Sequence, residues 1–476
     1  MIAQKLLRRS AGLWLSAAAL VLCVVALPAA GQDGRGARVY QEQLRVRLDQ
    51  QSPVSRDISV DGGGWFTFAF FQFDDAGERR TRTLRQYELR GWASASIHGV
   101  HRAYVRGLMG YNDWNSGQNP DEPHGDQYTG CELERAWYSF DLGQLLQNRT
   151  GQESPLGLKV TVGRQYAEIG TAFVLSMPLD MVKAEASFGD WQLTALLGKT
   201  IHETRNIDDS DLVSDHQRRC FWGVELGYTG FDRHRPFAYY LQNHDDTKPE
   251  QWDRFQSYDY SSRYVGIGST GSLILPNLRY QAEAVGEFGD TYSAGAVQGR
   301  DEICAMGVDV LLEYLFPLAL HPKISFEYMW GSGDKDRNAS ATTTVQGNRA
   351  GTTDHAFNAF GYRDTGLAFA PRISNLHIYT AGASFFPLER TRLFKKMEVG
   401  TKAFLYHRSA SSGAISDVTA TNDNATCAGW EWDVYADWRI TSDLSWTIRY
   451  GAFFPGRAFD DRSCRQFLMT AVILNF

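Results

Sequence analysis

The chain is short of the features that mark most alternatives. Only 14 of its 476 residues are proline and six are cysteine. No linker divides it, although a soluble chain of this length ordinarily splits into two or three domains. Past residue 31 no apolar run approaches the roughly 20 residues that a transmembrane helix needs. Positive charge is not in excess: Lys and Arg number 48 against 55 Asp and Glu, a net charge of -7. That excludes a surface that attracts polyanions as a whole, so nucleic acid is not an expected partner and any anion site must be local. No Cys and His spacing resembles a zinc site, no metal is expected, and neither a nucleophile elbow nor a phosphate-binding glycine loop is present. Neither catalysis nor a cofactor is expected.

What is there begins at the two ends. Lys5, Arg8 and Arg9 precede an apolar run from Leu13 to Leu27, followed by Ala29, Ala30 and Gly31. This pattern is that of a secretory signal peptide over 1–31. Cys23 lies inside the apolar run behind Leu22, the wrong context for lipid attachment. At the other end Leu468, Thr470, Val472, Leu474 and Phe476 alternate with Met469, Ala471, Ile473 and Asn475, and the chain stops on an aromatic. A terminal strand of that kind resembles the signal by which bacterial outer-membrane barrels are recognised for insertion.

Between the ends, aromatics make up 13% of the chain and glycines number 45. Mean hydropathy is -0.35, which does not argue against a barrel, since a polar lumen and polar loops dilute the apolar outer face. Period-two alternation is clean in several places. Trp430, Trp432, Val434, Ala436 and Trp438 interleave with Glu431, Asp433, Tyr435, Asp437 and Arg439, and Leu444, Trp446, Ile448 and Tyr450 with Ser445, Thr447 and Arg449. About eighteen such segments are expected, at 65–73, 86–98, 101–112, 133–140, 158–163, 184–188, 193–199, 222–228, 237–243, 262–269, 278–288, 306–315, 323–330, 376–386, 397–407, 430–439, 444–453 and 467–476. Connections near 99, 189–192, 229–236, 270–277, 316–322 and 440–443 are short. Those at 113–132, 164–183, 200–221, 244–261, 289–305, 331–375 and 408–429 are long and polar. Alternating short periplasmic turns and long external loops is the habit of outer-membrane barrels, and a β-sandwich has no reason to show it. The connection at 141–157 breaks the rule, being periplasmic and long. The expected class is all-β, a transmembrane antiparallel β-barrel over 65–476, with 32–64 an N-terminal periplasmic segment, in the bacterial outer membrane.

Four short pieces, in order, carry a resemblance to a known family: Glu134-Arg135-Ala136-Trp137, Val162-Gly163-Arg164-Gln165, Ser374-Asn375-Leu376, and Tyr450-Gly451-Ala452-Phe453-Phe454-Pro455-Gly456. The chain resembles the alginate export family of outer-membrane barrels over most of its mature length. The resemblance implies an eighteen-stranded barrel whose narrow, arginine-lined lumen exports an anionic exopolysaccharide, an alginate-like polyuronate. Guanidinium groups stay charged and pair bidentately with carboxylates, so such a lining lets the polymer shed water without losing charge compensation. Matched motif by motif, the conduit arginines are Arg90 in Glu88-Leu89-Arg90-Gly91-Trp92, Arg135, Arg164, Arg372 and Arg449. Alternation supports three. Arg449 shares its face with Ser445, Thr447 and Gly451, Arg90 with Glu88, Ser94 and Ser96, and Arg135 with Ser139. Strict parity instead groups Arg164 with Val160 and Val162 unless a bulge at Gly163 turns it or it sits at a rim, and Arg372 precedes its strand.

The family type plugs its channel with a long periplasmic loop between the last-but-two and last-but-one strands, where this chain has only Ile440 to Asp443. The expected gate is therefore external, at 331–375 or 113–132, with 141–157 the one long periplasmic alternative. Expected partners are an anionic polysaccharide, outer-membrane lipid and a potential periplasmic export scaffold, with the barrel itself monomeric. Cys131, Cys220, Cys304, Cys427 and Cys464 fall at loop ends, with Cys427 and Cys464 best placed to pair and one thiol necessarily left over. Asp334, Asp336 and Asn338 imitate the opening of a calcium loop but lack its glycine and closing glutamate. Two rival functions stay open: a general or sugar-specific diffusion porin, and a barrel enzyme using His101, His355 or His407.

Overall fold

The computed structural model describes residues 58–75, 80–115, 125–152, 156–201, 218–246, 259–292, 299–337, 340 and 348–476. The signal peptide and most of the 32–64 segment lie outside these residues, as does Asn338. Eighteen antiparallel strands form one sheet in which each pairs with its sequence neighbours, and β1 closes the barrel against β18. They are β1 (Ile58–Asp75), β2 (Arg80–Ile97), β3 (His101–Trp114), β4 (Gly125–Asp141), β5 (Leu156–Ile169), β6 (Leu175–Phe188), β7 (Trp191–Thr200), β8 (Arg219–Tyr228), β9 (His234–Asp245), β10 (Ser261–Ser272), β11 (Leu278–Tyr292), β12 (Arg300–Leu315), β13 (Lys323–Gly331), β14 (Leu376–Phe385), β15 (Met397–Arg408), β16 (Cys427–Arg439), β17 (Leu444–Pro455) and β18 (Arg465–Asn475). Closure leaves no sheet edge for lipid to meet. All eighteen expected segments are strands, and β1 starts at Ile58, inside the segment expected to precede the barrel.

The two faces of the wall separate as a membrane requires. Large apolar side chains such as Leu89, Val105, Val162, Leu197, Trp222, Ile267, Met306, Phe326, Leu405, Trp432 and Val472 are exposed on the outer face, toward lipid. Their inward neighbours are polar or charged, among them Glu88, Arg106, Glu225, Glu283, Asp309 and Glu431, and all of these are buried. The long connection at 141–157 contains a helix, α1 (Leu142–Thr150), on the short-turn side of the barrel. The Asp141 side chain accepts from the Gln144 N–H at its start, and Gly151 at φ 71° closes its end.

One pair of strands leaves the wall. β5 pairs with β4 only from Lys159 to Arg164, and β6 pairs with β7 only from Leu179 to Phe188. Beyond those points β5 and β6 pair with each other and with no other strand. Gly163 marks the departure: its φ is +124°, and a Cβ there would lie 2.2 Å from the Ala136 carbonyl oxygen. The segment expected as a long polar loop at 164–183 is instead a hairpin with a five-residue tip, folded inward. Phe173, Val174 and Leu175 at its end are buried, packed in a cluster with Phe221, Phe237, Tyr239, Leu241 and Tyr264 of the facing wall.

The described residues of the long connection after β13 also turn inward. Phe357 and Phe360 join the hairpin's cluster. Leu367, Ala368 and Phe369 join a second one with Phe71, Phe404, Tyr406, Phe453 and Phe467 of the wall. All five cysteines beyond the signal segment are free thiols, so Cys427 and Cys464 are not bridged.

Candidate functional site in the lumen

On β2, β3 and β4, alternation and register bring three guanidiniums into one inward row. Arg106 lies directly across from Arg135, and Arg90 is one strand away. The register of β3 on β4 slips just past Arg106, so that Gly107 faces Leu133 and Glu134 has no cross-strand partner of its own. This bulge frees Glu134 to sit between two arginines. Arg106 donates from Nε to its Oε2 at 2.6 Å, and Arg90 Nε donates to both oxygens at 3.3 and 3.2 Å. Arg90 Nη1 also donates to Glu88 Oε2 at 2.7 Å. The Arg90 and Arg106 guanidiniums lie 5.9 and 5.6 Å from the Trp65 ring centroid, and Arg135 lies 4.9 Å from that of Tyr166 on the inserted hairpin. Glu134 is thus shared between Arg90 and Arg106, and Glu88 adds a second carboxylate to Arg90. Buried ions persist only where they are paired in this way.

The other arginines expected from the sequence take different places. Arg449 faces inward on β17 and donates from Nη2 to Asp437 Oδ2 at 3.0 Å, beneath the Tyr435 ring at 5.2 Å. Arg164 stands where the hairpin leaves the wall. Its Nε donates to Asp180 Oδ1 at 2.8 Å and its Nη1 to the Leu133 carbonyl at 2.7 Å. It therefore clamps the base of the hairpin against β4. Arg372 belongs to the connection preceding β14, and its backbone N–H donates to Ser416 Oγ at 2.9 Å.

The opposite side of the lumen is lined by carboxylates, and the inserted segments answer them. Glu225 Oε2 accepts the Gly170 N–H at 2.8 Å. Glu283 Oε2 accepts the Thr171 N–H and hydroxyl at 2.6 and 2.7 Å. Glu287 accepts from the Asn358 N–H at 2.9 Å and from Tyr260 at 2.7 Å. Glu431 accepts three successive N–H groups, from Leu367, Ala368 and Phe369, at 2.6, 2.6 and 2.8 Å. Two ion pairs complete the seating: Arg363 to Asp309 and Lys402 to Asp364, at 2.7 and 2.6 Å. Arg363 also donates to the Thr171 carbonyl and hydroxyl, and Phe360 pairs with the hairpin backbone at Val174 and Ser176. Hairpin and loop thus form one inserted body. Burial works against the charge on Asp364, but Lys402 outweighs it and holds the carboxyl below the usual range.

Sequence reading missed Arg106 and the loop cation Arg363. Arg106 carried a signal: Tyr104-Val105-Arg106 is the reversal of Arg90-Gly91-Trp92, as an antiparallel neighbour on the same face requires. The histidines set aside for catalysis are spent elsewhere. His101 bonds Tyr138, His355 the Cys304 carbonyl, and His407 lies across from His377. Asp334 accepts N–H groups from Asp336 and His355, and among the described residues no group of side chains could hold a metal ion.

Comparison with known proteins bears on both wall and lumen. The sequence pattern of the family described as "Alginate export" matches residues 67–467. The fold is similar to that of Pseudomonas aeruginosa OccK8 (OprE), with a TM-score of 0.55 and 10% identity over 88% of this chain and 98% of that one. P. aeruginosa OccK1 (OpdK) follows at 0.53 and 12%, covering 87% and 99%. A second structure of OpdK, titled an outer membrane protein, stands at 0.52 and 11%, covering 88% and 99%. No curated protein matches the sequence.

Proposed function

This chain belongs to the alginate export family and is an outer-membrane β-barrel channel, and from that premise we propose that it exports an anionic polyuronate, with the inserted loop as its gate. The observation that carries the reading is the inward row of Arg90, Arg106 and Arg135 on three adjacent strands. It presents three neighbouring guanidiniums in one layer of the wall, and Arg449 on β17 adds a further inward cation on another part of the wall. Several moderate sites let a polymer advance, where a single tight one would hold it. Glu88 and Glu134 temper Arg90 and Arg106, so a passing carboxylate exchanges partners there without creating a bare charge. The gate lies in the connection after β13, on the side of the barrel opposite the chain ends. Its seat on Glu287 and Glu431 must be vacated for polymer to pass.

The test is release of entrapped oligomannuronate from proteoliposomes. A barrel with 356–370 replaced by a short Gly-Ser link releases it, and adding Arg106→Ala with Arg135→Ala slows that release more than release of a neutral maltohexaose. Equal release of both sugars, unchanged by the arginine substitutions, rejects the proposal. A second reading, a diffusion porin, draws on the pairing of Arg90 and Arg106 with Glu88 and Glu134. It requires that equal release.

A further inference from the structure

We propose that Trp92, Tyr104 and Trp137 form a sugar-stacking ladder one side-chain layer below the arginine row, where a polyuronate entering from the periplasm binds before it reaches that row. The inference rests on the export reading above and adds a binding site to it.

Arg90-Gly91-Trp92 on β2 and Arg135-Ala136-Trp137 on β4 run in the same direction, and Tyr104-Val105-Arg106 on β3 runs against them. Residues two apart on a strand share a face, so each arginine of the row has an inward aromatic neighbour on the same strand. The rings make a continuous strip. Trp92 and Tyr104 have centroids 6.1 Å apart with planes at 19°, and Tyr104 and Trp137 are 5.7 Å apart at 19°. Those separations describe offset, nearly parallel rings that leave part of each face uncovered. A glycine faces the strip at both ends: Gly63 across from Trp92 and Gly163 across from Trp137.

The ladder has no structural employment of the usual kinds. Belt aromatics of a barrel face lipid, and these three face the lumen, beside Ser94, Ser96 and Ser139. Core aromatics are enclosed, whereas all three remain half-buried and open to lumen water. None belongs to either apolar cluster that seats the inserted segments. A half-exposed aromatic strip in a polar channel beside guanidiniums suits a ligand with an apolar ring face and a carboxylate on one unit. A pyranose ring offers its axial C–H face to an aromatic, and a uronic acid adds the carboxylate. The ladder lies between the arginine row and the short β2–β3 turn at 98–100, on the side of the chain ends. A chain arriving from there passes Arg102, two residues from Tyr104 on the same face, and meets the rings before the arginine row.

Isothermal titration of the detergent-folded full chain with hexamannuronate and with neutral maltohexaose tests this. Heat-modifiable gel mobility reports that each variant is a folded barrel. Trp92→Ala with Trp137→Ala weakens hexamannuronate binding about tenfold, Trp92→Phe with Trp137→Phe retains most of it, and neither changes ion selectivity. The ladder is overturned if the double alanine variant, folded, binds as the unaltered protein does. In that event binding that still falls with Arg135→Ala leaves the export reading standing. Failure of the unaltered protein to bind hexamannuronate at all rejects both.

Discussion

The two sides of the lumen handle buried charge in opposite ways. On β2–β4, wall cations are answered by wall carboxylates: Arg90 and Arg106 share Glu134, and all of these residues lie within about fifty positions of one another. On β8–β16, wall carboxylates are answered by segments from outside the wall, through backbone N–H groups and Arg363 of the inserted loop, with Lys402 of the wall returning the favour to Asp364 in that loop. The first side pairs Arg90 and Arg106 within the wall, touches the inserted hairpin through Arg135 and Tyr166, and keeps its aromatic strip open. The second is complete only when the loops are inside. A buried carboxylate accepting several N–H groups is favourable in a dry lumen, and the same carboxylate is content in water once the loop departs. That makes the second side suited to opening and the first suited to guiding what passes.

The largest effect should come from removing the inserted body. Replacing 356–370 with a short Gly-Ser link raises single-channel conductance several-fold while the barrel remains heat-modifiable on gels. An unchanged conductance would mean that the loop does not occlude the path. Next is Glu431→Ala, which strips three N–H groups of a charged acceptor. At about 1.5–3 kcal/mol for a hydrogen bond to a charged group, the loss is large enough to turn rare openings into frequent ones in single-channel records, and Glu431→Gln has a smaller effect. Arg106→Ala should leave opening frequency alone and shift the reversal potential toward cations, because the row loses one guanidinium while Glu134 stays. An effect on opening but not on selectivity would erase the contrast between the two sides.

The smallest effect is one of pH. A carboxyl held below its ordinary value contributes above that value and loses its contribution only as pH falls through the depressed one. The Lys402–Asp364 pair should therefore persist until the pH falls below the ordinary carboxyl range. Lys402→Gln removes the largest influence opposing burial, leaving the Gly366 N–H and Arg449, and opening then begins at higher pH.

The wall was legible in the sequence because its information is local. Alternation and turn length marked every strand, and parity placed Arg90, Arg135 and Arg449 inward, where they are found. The lumen's contents were less legible because they depend on contacts between distant residues. Arg363 and Thr171 are 192 positions apart. The broken parity of Arg164 pointed to Gly163 as an irregular position, but nothing local showed that the glycine, at φ +124°, releases a hairpin from the wall and makes Arg164 a clamp. The inserted loop did leave a trace. Phe357, Phe360, Leu367 and Phe369 are too apolar for an external loop facing water, and all four are buried.

The central claim is that the β2–β4 side selects anions for passage. The most direct measurement is the reversal potential of the loop-replaced barrel in a planar bilayer under a potassium chloride gradient, with and without Arg106→Ala and Arg135→Ala. The account predicts that the double substitution shifts the reversal potential toward potassium, against the background set by the uncovered Asp309, Glu287 and Glu431. A reversal potential that the substitutions leave in place would contradict it.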